Sequence, residues 1–251
     1  MFEVAADAYD RFMGVYSSQL APQIADLANV REGQKVLDVG CGTGTLTQEL
    51  VRRLGAHDVA AVDPSESFVG AIRARYPNVR VERASAEELP FADDSFDAAL
   101  AQLVVHFMSD PVGAVREMAR VTRPGGTIAA SVWDFGGDRS PLSVFWRAAK
   151  QLDPAVEDES DLTGAHRGQL AEVFRKAGLE DVREAEHAVT RGFATLDEWW
   201  ELFIHGVSPS GSYVQSLDDE RRSDLRQRCG ELFGPPPFTI RAVAWVARGT
   251  A

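Results

Sequence analysis

The stretch Val36-Leu37-Asp38-Val39-Gly40-Cys41-Gly42-Thr43-Gly44 decides the fold. A short apolar run enters a glycine loop, and the residues after it carry helical spacing. Leu46, Leu50, Val51 and Leu54 fall on one stripe, and Gly55 supplies a stop. Strand, glycine loop and helix in that order are the setting of a ligand-binding loop. Gly40 and Gly42 let the backbone turn tightly and approach a ligand without a Cβ in the way, while the following helix aims its positive dipole end at the same place. The dinucleotide fingerprint GxGxxG is not met, because Thr45 stands where its third glycine belongs and the loop reads GxGxG. Read alone, such a loop is also compatible with a purely structural turn.

Working outward, β-rich runs alternate with helical patterns through the first half. The expected strands are Lys35–Val39, Val59–Asp63, Val79–Ala84, Phe96–Leu103 and Thr127–Trp133, apolar enough for parallel strands covered on both faces. Ser65 is placed to cap a helix carrying Phe68, Val69 and Ile72. Asp110-Pro111 reads as the N-cap and first position of another helix, which Pro124-Gly125-Gly126 ends. Short joins between strands and helices imply βαβ units in an open, doubly wound sheet. Asp63 ends the second strand, nineteen residues after Gly44. An acid there can grip two ribose hydroxyls, or cap the helix after Pro64.

The second half is less regular. Ser140-Pro141 opens a helix with Leu142, Phe145, Trp146 and Ala149, and Asp153–Asp161 reads as a solvated acidic loop. Leu170, Val173, Phe174 and Ala177 mark a further helix ending at Gly178-Leu179. Two last strands, about Val182–Phe193 and Phe238–Ala247, enclose a helical stretch that starts with the capping box Thr195-Leu196-Asp197-Glu198 and places Trp199, Trp200, Phe203 and Ile204 on one face.

Composition limits the function. The chain has 251 residues, 45% hydrophobic and 25% charged, and a formal charge of −12 from 26 bases and 38 acids. That charge opposes loose binding to nucleic acid, so no nucleic-acid partner is expected. No apolar run reaches the ~20 residues of a membrane span, and the acidic start MFEVAADAYD is unlike a signal peptide, so a cytoplasmic address and no membrane partner are expected. Two cysteines and five scattered histidines offer no metal site.

DVGCGTG, the acid ending the second strand, AEELPFADDSFD after the third and RVTRPGGT before the fifth resemble the class I S-adenosylmethionine-dependent methyltransferases, nearest to the group holding the quinone-biosynthesis enzymes and many small-molecule enzymes. The opening AADAYDRFMGVYS is similar to their N-terminal helix. The resemblance implies a Rossmann-like, doubly wound α/β fold with a seven-stranded sheet of order 3-2-1-4-5-7-6, the last strand antiparallel, and helical lid insertions. It implies one domain over 1–251, with an N-terminal lid at 1–30, a cofactor-binding core at 35–134 and a helical insertion at 194–234.

It implies S-adenosyl-L-methionine as cofactor. Asp38, Gly40, Cys41, Gly42 and Gly44 form its loop, with Gly40 to Gly42 around the methionine part, and Asp63 holds the ribose. Pro64 and Phe68 lie near the adenine, and Ala86 meets its edge. Gln102 sits by the amino group. Ser85 stands where many relatives have an Asp that accepts from the adenine, and a neutral hydroxyl contributes less there.

The acceptor is expected to be a small molecule, methylated by in-line transfer. Methylation of protein or RNA, and cofactor binding without catalysis in a regulatory role, are the alternatives. No motif names a base. His106, after the fourth strand at the ligand-bearing edge, is the first candidate catalytic residue, set against a structural role. His205 is the second, and Asp134 a third that equally suits a turn. The stripe Trp199, Trp200, Phe203 with Tyr213, and the ring set Tyr9, Phe12, Tyr16, each divide between core packing and a roof over the site.

Overall fold

The computed structural model describes residues 10–204, Gly206 and 208–251. Tyr9 and His205 lie outside the described residues. The strands are β1 Val36–Val39, β2 Val59–Asp63, β3 Arg80–Arg83, β4 Phe96–Gln102, β5 Thr122–Trp133, β6 Glu180–Phe193 and β7 Phe238–Thr250. They form one sheet of order β3-β2-β1-β4-β5-β7-β6. β1 to β5 run parallel, and β7 lies antiparallel between β5 and β6. Every residue of β1 and β2 is buried, as their unbroken apolar character requires.

The helices are α1 Val15–Leu27, α2 Thr45–Leu54, α3 Glu66–Arg75, α4 Pro111–Val121, α5 Ser143–Leu152, α6 Gln169–Ala177, α7 Leu196–Trp200, α8 Ser208–Ser216 and α9 Asp219–Phe233. None among the described residues is long and apolar enough to cross a membrane. α1 is preceded by a π-turn, Asp10–Gly14, and buries Leu20 and Ile24 completely. Its outer edge is tied to β6. The Gln19 carboxamide donates to Thr190 O at 2.8 Å and accepts from Thr190 N–H at 3.2 Å, so this helix is part of the packed body.

Several sequence expectations shift. α4 stops at Val121, before Pro124-Gly125-Gly126, because Thr122 turns extended and its hydroxyl takes the Met118 carbonyl at 2.8 Å. β5 therefore starts at Thr122 and carries the Pro-Gly-Gly run inside it, with a register shift between Phe96 and Ala98 on its partner. Ser65 occupies the N-cap of α3 but its side chain makes no cap bond, and its hydroxyl sits 2.8 Å from that of Ser67. Ser140 organises the entry to α5 one turn earlier than its first helical residue, accepting from Leu142 N–H at 3.1 Å.

The capping box holds in part. Thr195 Oγ1 accepts from Glu198 N–H at 3.1 Å, whereas the Glu198 carboxylate reaches Ala194 N–H at 2.9 Å. Ile204 is 42% exposed, off the buried face, because α7 ends at Trp200 and the chain continues as turns. The acidic loop is solvated except at Glu159, 5% exposed, whose carboxylate accepts from Trp146 Nε1 at 2.8 Å.

Candidate functional site

β1, β2 and β4 end together at the carboxyl edge of the sheet, the place where open α/β sheets hold ligands. There the chain leaves β1 into the glycine loop. The N–H groups of Gly40 and Cys41 both donate to Val62 O, at 2.8 and 2.9 Å, fastening the loop across the end of β2. Gly40 has φ +68, and a Cβ on it would lie 2.4 Å from Cγ2 of Val104, so only glycine fits. A Cβ on Gly42 would meet nothing within 4 Å, which leaves the loop open on that side.

Asp63 closes this corner. Its Oδ2 accepts from Gly42 N–H and its Oδ1 from Ser65 N–H, both at 2.9 Å. One carboxylate thus joins the glycine loop to the turn that starts α3. Burial pushes the Asp63 carboxyl above its ordinary range, opposed by the two N–H donors.

Asp38 lies beneath the loop, 1% exposed. Its Oδ2 accepts from the Thr47 hydroxyl at 2.6 Å, and its Oδ1 has no hydrogen-bond partner. Burial, with the neighbouring Asp63 charge adding to it, raises its carboxyl to about 7. Cys41 is buried as well, and burial with the charges of Asp38 and Asp63 keeps its thiol protonated, which removes it as a nucleophile. Gln102, at the end of β4, donates through Nε2 to Ser17 O at 3.1 Å, while its buried Oε1 has no partner. Leaving such an atom unpaired costs ~1–3 kcal/mol, so unpaired buried oxygens beside a cavity are places where a ligand donor is rewarded.

These residues surround a cavity of about 380 Å³, within the usual size of a small-molecule site. Among residues singled out from the sequence, Asp38, Gly40, Cys41, Gly42, Asp63, Pro64, Phe68 and Gln102 line it. Gly44, Ser85, Ala86 and His106 do not. A Cβ on Gly44 would lie 2.1 Å from Ile72 Cδ1, so this glycine serves the packing of α2 on α3. Ser85 is exposed and its hydroxyl bonds to the Glu87 carboxylate. His106 is 8% exposed and packs its ring on Phe107, and burial lowers its pKa to about 3. An imidazole so shielded is a weak proton acceptor where it stands.

Asp134 is occupied structurally. It accepts from Gly137 N–H and Trp245 Nε1, both at 2.9 Å, and pairs with Arg139, which in turn holds Glu186. Trp199, Trp200 and Phe203 are core, and Phe203 stacks on Phe145 with centroids 4.6 Å apart. Phe12 packs edge-on against Phe203, and Tyr16 against Trp133. None of these rings lines the cavity. Ser17, Arg83, Leu103, Val104 and Phe107 do line it without having been expected from sequence. Of these only Phe107, next to His106, left a signal, as an aromatic just beyond a strand end.

A methyltransferase-domain family model matches residues 37–130. An uncharacterised methyltransferase of Mycobacterium tuberculosis is 38% identical over 138 residues, a match that spans about half of each protein, 55% of this chain and 54% of the relative. A malonyl-[acyl-carrier protein] O-methyltransferase of Erwinia billingiae is 37% identical over 230 residues, covering 90% of this chain and 89% of its own. Among solved structures, a putative methyltransferase from an antibiotic biosynthesis pathway of Anabaena variabilis superposes with a TM-score of 0.62 at 19% identity, over 93% of this chain and 97% of that one, and shares the fold. With the sheet order, the glycine loop and the Asp63 corner on the same chain, the match over nine-tenths of its length places it: the chain belongs to the class I S-adenosylmethionine-dependent methyltransferases.

Proposed function

We propose that the cavity binds S-adenosylmethionine and that the chain carries its methyl group to a small-molecule acceptor. The observation that carries this reading is Asp63, whose two oxygens each take one backbone N–H and keep lone pairs for a ribose diol at the cavity wall. Pro64 and Phe68 flank the adenine. Asp38, Gly40, Cys41 and Gly42 surround the methionine part, and Gln102 Oε1 takes an ammonium donor. The fit is supported by chemistry on this chain: two buried oxygens at the cavity, on Asp38 and Gln102, lack partners, and the cofactor brings a cationic amino group.

When bound, the cofactor supplies a methyl group activated on a sulfonium. The protein's share is alignment and exclusion of water. Residues 35–134 form the binding core in this reading, and Ser17 on α1 supplies part of the wall. A cavity of about 380 Å³ and a net charge of −12 support a small acceptor over a nucleic acid. The test is release of S-adenosylhomocysteine in the presence of a panel of phenols, quinols and carboxylates. Turnover of any member supports the reading. Tight cofactor binding with no release from any member would move it to a cofactor-binding protein without catalysis.

A further inference from the structure

One wall of the cavity is built in a way that cofactor binding leaves unexplained. After Gln102 the chain turns at Leu103, whose φ of +59 lies in the left-handed region that a leucine rarely enters. Ser131 holds it there, since the Leu103 N–H is shared between Ser131 O at 3.0 Å and Ser131 Oγ at 3.1 Å. Such strain persists only where surrounding bonds over-determine it, and it concentrates at functional sites. The turn sends Val105–Phe107 back along the cavity as a 3-10 turn.

Two rings in that turn stand in contrast. Phe107 lines the cavity and is 45% exposed. His106 is buried behind it, ring centroids 4.0 Å apart and tilted by 46°. Phe135 meets the imidazole from another direction, nearly perpendicular at 5.7 Å. Nδ1 of His106 is buried and has no hydrogen-bond partner.

We propose that Phe107 is a gate whose outward swing opens the cavity to His106, and that Nδ1 of His106 then hydrogen-bonds a hydroxyl of the methyl acceptor. This inference rests on the cofactor reading above. The outer face of the Phe107 ring is exposed while the imidazole against it is buried, and the unmade bond at Nδ1 is a ready partner for a polar ligand group. Burial keeps the imidazole neutral, so the ring meets its ligand as an uncharged hydrogen-bonding group. Val104 and Phe107 line the cavity on this side and Phe135 packs on the imidazole, apolar surroundings that assign the acceptor to hydroxyl-bearing molecules with an apolar ring or chain.

The test uses diethyl pyrocarbonate, which acylates neutral imidazoles, with the labelled histidines mapped by mass spectrometry. In the wild-type protein His106 should label on the order of tenfold or more slowly than exposed His57, as a group reached only by local opening. In Phe107→Ala the His106 rate should rise to that of His57, with a cooperative melting transition retained, and Phe107→Leu serves the same purpose if the alanine variant does not fold. Phenol added to the S-adenosylhomocysteine complex of the variant should protect His106 again and leave His57 unprotected. A His106 rate that Phe107 truncation does not change overturns the gate. A rate that rises but is not slowed by phenol overturns the acceptor contact. Absence of S-adenosylhomocysteine binding in the wild type itself would fail the cofactor reading separately, and the acceptor role with it.

Discussion

Gly42 and Asp63 are joined by a 2.9 Å hydrogen bond from the backbone N–H of the glycine to Oδ2 of the carboxylate, and this bond makes one site of two loops. Because Oδ1 holds Ser65 N–H in the same way, the acid both shapes the corner and faces the cavity. Asp63→Ala should weaken S-adenosylhomocysteine binding about tenfold or more, ~1.4 kcal/mol or more. It should also cost ~1–3 kcal/mol of stability, because two N–H groups lose their acceptor. Asp63→Asn keeps one acceptor oxygen and should fall between. Calorimetric titration beside thermal melting separates the two effects.

The glycines of the loop should not be equivalent. Gly40→Ala forces a Cβ against Val104 at 2.4 Å with φ +68, whereas Gly42→Ala meets nothing within 4 Å and bears only the strain of φ +52. The expected cost is ~1–2 kcal/mol for Gly42→Ala, and more for Gly40→Ala. Adding Val104→Ala should recover part of the Gly40→Ala loss, which a double-mutant cycle measured by denaturant unfolding would register.

Glu159 gives the chain a pH-dependent term. Burial raises its carboxyl from 4.5 to about 7, against the opposing bond from Trp146 Nε1. The folded-state value is raised, so the folded chain holds a proton that the unfolded chain releases. The stability from Glu159 is therefore present below about 4.5 and lost as pH rises toward 7. Glu159→Gln removes that titration and keeps an acceptor for the indole. The variant should be more stable than wild type at pH 8, by roughly 1–3 kcal/mol, and the gap should close near pH 5. Melting curves at the two pH values check it.

Asp134→Ala separates structure from chemistry at the end of β5. It strips the acceptor from Gly137 N–H and Trp245 Nε1 and leaves Arg139 with Glu186 alone. The expected loss is ~1–3 kcal/mol of stability, because two N–H groups lose their acceptor while the half-exposed Arg139 adds little. S-adenosylhomocysteine affinity of the fraction that folds should stay unchanged, since Asp134 does not line the cavity.

The sheet was legible because its strands are near-continuous apolar runs with clear ends. β2 spans the residues expected, and the terminal pair β6 and β7 enclose the expected helical stretch. The Pro124-Gly125-Gly126 run is not the helix stop, since the backbone already turns extended at Thr122 and runs into β5. The glycine loop and Asp63 were legible because spacing along one βαβ unit sets which groups share a strand edge. Ser17 was not, because its place depends on α1 crossing to β4, where its carbonyl meets Gln102. Leu103 was hidden for a different reason: nothing in a leucine signals a positive φ, which here is imposed by Ser131 on the next strand. The acidic neighbours of Glu159 suggest solvent, whereas its carboxylate is buried against the indole N–H of Trp146.

The central claim is tested most directly by calorimetric titration of the purified protein with S-adenosylmethionine, S-adenosylhomocysteine and NADH in parallel. Micromolar binding of both sulfur nucleotides and no heat from NADH is the expected result. Silence from both sulfur nucleotides, or binding of NADH in their place, would contradict it.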